Sequence, residues 1–435
     1  MKKLVSLFLV LSLVLSMASF AFAEDEVKIT VFHYMVEGQK ANAMEEIENR
    51  FAEKHPEVKI TFDNKAYSQG TDYWPQLESA IAAGDLPELI MGNPGMYDTL
   101  INEGYIMNLT GNQLIKDLGL TDGDMGDVSY KGEWYAYPVD FKSWGVFYNK
   151  DIFNQLGIAE PKTKTELLAA AQTLKDNGYI PWAQWYADGA SVDIEMRINV
   201  WTEALANGDK DMFEKLMSGE KQVKDYPYFA NGLQNWADRM GQGWADPSAV
   251  SNKQTDANEM FVSGKAGMLY QGTWNIGSIE DVMPEGFNYG FFLCPVDDSG
   301  ATPVLNVQVD QAFMVCDKAA NKDWAVKFME YWLTDEMGFW SDAAFQPCIT
   351  GATTENTPAL LLSLLNAKAS GNTACYGDFT APFSSAFTSA YRKALYAWAY
   401  YCCTGEANDS GVNSIDSCIE YMQGLFDEEI AKNAL

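Results

Sequence analysis

"GEWYAYPVDFKSWGVFYNKDIFNQLGI" occupies residues 132–158. Trp134, Tyr135, Tyr137 and Phe141 crowd around one proline, Pro138, and one carboxylate, Asp140. The apolar run 144–148 that follows reads as a strand, and a helix start comes after it. So dense a set of aromatics beside a single acid reads as a passage of the chain between two lobes. Its rings and Asp140 are expected to face a cleft.

The segments on either side support a layered α/β architecture. Residues 27–32 (VKITVF) alternate as a strand does, and Met44, Ile47 and Phe51 share one helical face within 39–54. Residues 58–62 form a second strand, 73–83 a helix ending at Gly84, 88–91 a third strand, and 96–102 the start of another helix. Strands alternating with helices predict a largely parallel sheet. Ligands of such sheets bind outside the carboxyl ends of the strands. That rule lines up His33 and Tyr34, then Asn64 and Lys65, then Asn93 and Met96. After residue 132 the pattern restarts, with strands expected at 144–148, 267–270, 289–293 and 309–315. Helices are expected at 164–177, 194–206, 228–240, 256–263, 322–333, 383–401 and 414–432. No repeat, low-complexity tract or proline-rich linker interrupts this order, so the chain is expected to weave between two lobes.

The amino terminus, MKKLVSLFLVLSLVLSMASFAFA, has a basic start and a short apolar stretch, then Ala21-Phe22-Ala23. This is the pattern of a removable secretion signal over residues 1–23. Its apolar part falls short of the roughly 20 residues that a membrane-spanning helix needs. No cysteine stands near the cleavage point, so a lipid anchor is not expected. The remaining chain is too long for one hydrophobic core. A formal charge of −30 on 435 residues makes nucleic acid and anionic membranes poor partners. Seven cysteines is an odd count for an exported chain. None precedes residue 294, and adjacent Cys402 and Cys403 sit in an apolar helical run, so buried free thiols are expected.

Five stretches in this order resemble the extracellular solute-binding proteins of sugar-type ABC importers, the family of which maltose-binding protein is a familiar member. They are "ANAMEEIENRFAEKHPEVKITF", "LESAIAAGDLPELIMGNPGMYDTLINEGYIMNLT", the opening stretch continued through "AEPKTKTELLAAAQTLKDNGYIPWA", "MFVSGKAGMLYQGTWNIGSIE" and "WAVKFMEYWLTDEMG". The resemblance covers most of the mature chain. It implies a two-lobe periplasmic-binding-protein-like α/β fold, a ligand cleft between lobes and about three hinge crossings. Those crossings are expected near 137–140, 303–308 and 351–357. The implied lobes are 24–139 plus about 304–352, and 140–303 plus about 353–435. A monomer that delivers its ligand to the permease subunits of an ABC transporter, outside the cytoplasmic membrane, is the corresponding expectation.

A sugar presents hydroxyls that need paired donors and acceptors, and C–H-rich faces that pack on flat rings. Trp274, in "YQGTWNIG", stands where the resemblance implies a sugar-stacking aromatic, with Asn275 beside it. Asp140 is a candidate for a charge-assisted anchor to two hydroxyls. His33, Tyr34 and Glu37 follow the first strand, Lys65 the second and Asn93 the third. Trp144 fits either a platform or a buried strand. In "AQWYADG", one of Trp185 and Tyr186 is expected at the cleft, with Asp188 close by. Gln308, Asp310 and Phe345 complete the ligand-binding candidates. No cofactor and no metal are expected, and the two histidines, His33 and His55, make a histidine triad or a histidine-rich zinc site a poor reading. The rival readings are the same fold holding a peptide, polyamine or other cation, and a secreted glycoside hydrolase with two carboxylates flanking the scissile bond. With 60 acids in the chain, some carboxylate pair will always look suitable, so an enzyme is not expected.

Overall fold

The computed structural model describes residues 26–433 other than 37, 68–71, 188, 190, 241, 242, 245, 350 and 382. The expected secretion signal, Glu37 and Asp188 therefore lie outside the described residues. Within them the chain builds two large sheets and a two-stranded hairpin, Ser129–Tyr130 with Glu133–Trp134. In the first, β1 (Glu26–His33) pairs in parallel with β2 (Lys59–Ala66), from Glu26 opposite Lys59 to His33 opposite Ala66. On its other edge β1 pairs in parallel with β3 (Leu89–Met91). Val27, Ile29 and Val31 are buried on the face covered by Met44, Ile47 and Phe51 of helix Gly38–Lys54. Phe32 points to the opposite face, into a cluster with Tyr73 and Leu77 of helix Tyr73–Ala83. This is the period-two alternation meeting the helical period. The helix expected over 96–102 is instead a 3-10 turn, Pro94–Met96, and a short helix, Asp98–Asn102.

The opening stretch divides between the two sheets. β4 (Tyr137–Pro138) closes the first sheet against β10 (Ala312–Val315), which in turn pairs with β3. One residue later, β5 (Asp140–Asn149) begins and becomes the spine of the second sheet. Its neighbours are β7 (Ala266–Gly272), β8 (Tyr289–Phe292), β9 (Leu305–Val309) and β11 (Gln346–Pro347), with β6 (Ile180–Ala183) beside β7 and β12 (Thr373–Cys375) beside β9. The Val139 amide donates to the Gln311 carbonyl at 2.8 Å, and the Asp310 amide to the Asp140 carbonyl at 2.9 Å. The Cys348 amide donates to the Val139 carbonyl at 3.1 Å. Three passages of the chain thus lie side by side. The first is where the resemblance implies it. The second changes sheets at Asp310–Gln311, and the third lies beside Val139 at Gln346–Cys348, each a few residues from its expected place.

The second sheet's core is rich in aromatics, with Trp182, Trp236, Phe147, Phe153 and Phe229 fully buried. All seven cysteines are unbridged. Five are buried, whereas Cys402 and Cys403 are only partly so.

Helix Asp122–Asp127 braces the passages from outside. A capping box starts it: the Thr121 hydroxyl accepts from the Asp124 amide at 3.2 Å, and the Asp124 carboxylate accepts from the Thr121 amide at 2.9 Å. The same carboxylate holds the Lys368 ammonium at 2.9 Å. The helix lies backbone-to-backbone on the turn Tyr376–Asp378, with Gly126 against Gly377. A Cβ on Gly126 would sit 2.1 Å from the Gly377 carbonyl oxygen. Backbone cannot yield as a flexible side chain does, so Gly126→Ala is expected to cost about 1–3 kcal/mol of stability. A denaturant midpoint equal to that of the wild type would show that this contact is not tight.

Candidate ligand-binding site

Alternation along β5 places Asp140, Lys142 and Trp144 on one face. Its partner β9 runs with Gln308 opposite Lys142, so Gln308 lies on that face too, followed by Asp310. The Lys142 ammonium donates to Asp310 at 3.1 Å, and the Arg197 guanidinium to the Gln308 amide oxygen at 3.2 Å. Arg197 comes from helix Ser191–Ala206 and lies over the rings of Trp144 and Trp201, 4.5 and 4.8 Å from their centroids. Trp201 in turn stacks on Tyr376 at 4.8 Å.

Trp274 extends this wall. It sits in the 3-10 turn Thr273–Asn275 that follows β7, and its ring lies directly on Gly272, where a Cβ would be 1.7 Å from the nearest ring carbon. The Ser143 amide donates to the Thr273 hydroxyl at 3.1 Å and ties the turn to β5. Trp274 remains half-buried, meets Trp144 edge-on at 6.1 Å, and has the Lys142 ammonium 6.0 Å from its centroid.

The first sheet supplies the opposing side. Lys40, in helix Gly38–Lys54, reaches Asp310 at 2.9 Å and the Gln311 side chain at 3.1 Å, with Asp140 at 3.9 Å. Its neighbour Gln39 packs so closely on Gly277, just past Trp274, that a Cβ there would be 2.1 Å from the Gln39 amide oxygen. Tyr34 is edge-on to Tyr73 at 5.3 Å. Its hydroxyl pKa is raised well above the usual value, by burial first and then by the charges of Asp310 and other neighbours. His33 is buried with neither ring nitrogen partnered, and burial lowers its pKa to about 4, so it is neutral at pH 7. Asn93 stands just before the Pro94–Met96 turn without capping it, its side-chain oxygen buried without a partner.

The carboxyls of this junction divide. Burial alone would raise Asp310, but the Lys40 and Lys142 ammoniums outweigh it and hold Asp310 well below the usual range. Asp140 is pushed up to about 7, by burial first, only partly offset by Lys40, with the Asp310 charge adding to the rise.

Of the sequence candidates, Tyr34, Asp140, Trp144, Trp274, Gln308 and Asp310 therefore meet around one junction. Several have other duties than expected. Asp140 is buried, and its carboxylate accepts from the Gln311 amide at 2.8 Å, pinning the second passage and not opening onto a cleft floor. Trp144 is buried beneath Arg197. Asn275 is fully buried and bonded to Asn258 and Gln254, holding the turn in place. Trp185 and Tyr186 both lie in the second core, where the Tyr186 hydroxyl is satisfied by Glu195 at 3.2 Å and the Trp236 indole at 3.1 Å. Phe345 is buried against Trp340 at 4.3 Å, with the Lys40 ammonium 5.3 Å from its ring. Lys65 pairs with Asp63 at 2.8 Å on the edge strand β2, away from the junction. The sequence reading missed Lys40, Lys142 and Arg197. Lys142 was readable, since it lies between Asp140 and Trp144 on their own face. Lys40 and Arg197 arrive from distant helices and carry no local signal.

The profile of the bacterial extracellular solute-binding proteins matches residues 37–338. The chain belongs to this family. An ABC transporter extracellular-binding protein of Pyrococcus horikoshii is 25% identical over 327 residues, 70% of this chain and 67% of that protein. The multiple sugar-binding protein of Streptococcus mutans is 23% identical over 317 residues, 71% of this chain and 72% of that protein. Among solved structures, the binding protein RafE in complex with raffinose superposes with a TM-score of 0.70 at 18% identity, over 93% of this chain and 99% of that one. At that identity the likeness speaks for the fold, which is the two-lobe α/β architecture expected of the sequence.

Asp127 is expected to make the junction sensitive to pH. Its buried carboxylate accepts from the Val309 amide at 3.0 Å, and burial raises its pKa from 3.8 to about 7. A carboxyl whose folded pKa lies above its unfolded one stabilises the fold at low pH, and that contribution is lost as pH rises through the folded value. Asp127→Asn keeps an acceptor for Val309 and removes the titration. Melting temperatures measured from pH 4 to 8 are expected to show the variant gaining on the wild type as pH rises towards 8. Parallel curves would overturn this account.

Proposed function

We propose that this protein captures a carbohydrate, an oligosaccharide by preference, between its two lobes outside the cytoplasmic membrane and delivers it to the permease of an ABC importer. The observation that carries the reading is Trp274, a half-buried indole laid on Gly272 at the end of a strand, with the Lys142 ammonium over its ring and the Gln254 amide at its indole nitrogen. This is the pairing that a sugar needs, a platform for its C–H face and polar groups for its hydroxyls. The S. mutans relative named for sugar binding and the neighbour solved with raffinose support it. The family is one of binding proteins, so chemistry on this chain is not part of the proposal, and ATP hydrolysis falls to the transporter. Among the described residues no helix is long and apolar enough to cross a membrane.

The lobe division is part of the same proposal: residues 24–139 with about 304–352, against 140–303 with about 353–435. It is supported by the change of sheet partner at Val139. A monomer and hinge closure on the ligand complete the reading. Of the sequence candidates, we place Trp274, Tyr34, Asn93, Gln308 and Asp310 nearest the ligand, with Asp140, Trp144 and Asn275 holding them from behind.

A thermal-shift screen of the mature chain against saccharides, amino acids, polyamines and short peptides tests the ligand class. A ligand at about 100 times its dissociation constant stabilises by about 2.7 kcal/mol, enough to move the melt by a few degrees. Against the saccharide so found, Trp274→Ala is expected to weaken binding by about 1–3 kcal/mol. Gly272→Ala should lower affinity in the same direction, because its methyl displaces the ring from its seat. Unchanged affinity in Trp274→Ala would remove the platform, and a shift only with peptides or polyamines would overturn the carbohydrate reading.

A further inference from the structure

The charges around Trp274 run against the character of the chain. Acids outnumber bases 60 to 30 overall. At this wall, among the described residues, two carboxylates each serve two cations. Asp310 holds both Lys40 and Lys142, and Asp193 holds both Arg197 and Arg392. Asp124 is matched one-to-one by Lys368, and Asp140 and Asp127 are buried, which pushes their pKa values upward and weakens their offset of these cations.

Lys142 is the more open member of its ion pair, with 22% of its side chain exposed against 12% for Asp310. An ammonium has three donors, and one is directed at Asp310. Its nitrogen lies over the Trp274 ring, 6.0 Å from the centroid, within reach of a substituent of a sugar held against that indole. A neutral sugar's hydroxyl would accept an ordinary hydrogen bond from this ammonium. A sugar carboxylate leaving water needs the cation, because a charge-assisted bond replaces its lost hydration.

The geometry points to an acidic saccharide as the ligand, a uronate whose ring stacks on Trp274 while its carboxylate meets the Lys142 ammonium. This deepens the carbohydrate reading and rests on it. Lys40 and Arg197 then act through their neighbours, Lys40 by sharing Asp310 with Lys142 and Arg197 by holding Gln308. The acidic remainder of the surface slows the approach of such a ligand, so affinity is expected to fall as salt screens the short-range pair and the on-rate to rise.

The test is calorimetric titration of the mature protein with trigalacturonate and glucuronosyl-xylotriose, beside their neutral counterparts galactotriose and xylotriose and a sugar phosphate. At least one uronate is expected to bind about tenfold or more tightly than its neutral counterpart. Lys142→Met is expected to lower uronate affinity by about ten- to a hundredfold and to erase that preference, and Lys142→Arg to restore most of it. Melting curves of the variants separate this from misfolding, since a folded Lys142→Met that keeps the preference overturns the assignment. Tighter binding of the neutral sugars, or of the sugar phosphate, also overturns it while leaving the carbohydrate reading in place. Silence with every saccharide, acidic and neutral alike, removes both.

Discussion

Three strands pass side by side between two sheets, and everything else in the molecule is arranged around that junction. Val139 bonds to Gln311 on one side and to Cys348 on the other, so backbone hydrogen bonds alone hold the passages in register. Side chains then lock it. Asp310 draws Lys40 from the first lobe and Lys142 from the second onto one carboxylate, and Asp140 takes the Gln311 amide. A buried charge without partners would cost several kcal/mol, which is why the ions occur as a closed set.

The recognition surface follows from the same junction. Because β5 starts at Asp140 and β9 ends at Val309, their outward faces bring Lys142, Trp144 and Gln308 to the place where the lobes part. Trp144 and Trp201 lie beneath Arg197, whereas Trp274 stays half-buried with the Lys142 ammonium over its ring. Its position depends on an absent side chain, since only glycine at position 272 lets the ring lie on the backbone. The contact of Gln39 with Gly277 brings the first lobe against the turn that carries it.

Some of this was legible in the chain itself. Alternation and helical spacing gave the strands and helices of the first lobe, and the aromatic cluster around Pro138 marked the first passage. Trp274 stood out by its setting between a strand, a glycine and a helix start. The misplacement of Trp185 and Tyr186 is instructive. A polar, glycine-ended stretch reads as surface, yet β6 ends at Ala183 and the chain turns under helices Ser191–Ala206 and Pro227–Met240. There Glu195 and Trp236 satisfy the tyrosine hydroxyl, partners that no local pattern announces.

The sequence by itself determined the α/β class, the order of elements and the residue types that a sugar cleft requires, because period two, period 3.6 and side-chain chemistry are local properties. Only the tertiary structure decided which of those residues meet. Lys40 and Asp310 stand 270 positions apart in the chain, and their 2.9 Å pairing exists because the second passage returns beside the first helix. The same folding buried Asp140 as a pin of the junction and set the Lys142 ammonium over the ring of Trp274. Which groups are buried, and which remain for a ligand, is settled by long-range packing, since desolvation is a property of the whole fold.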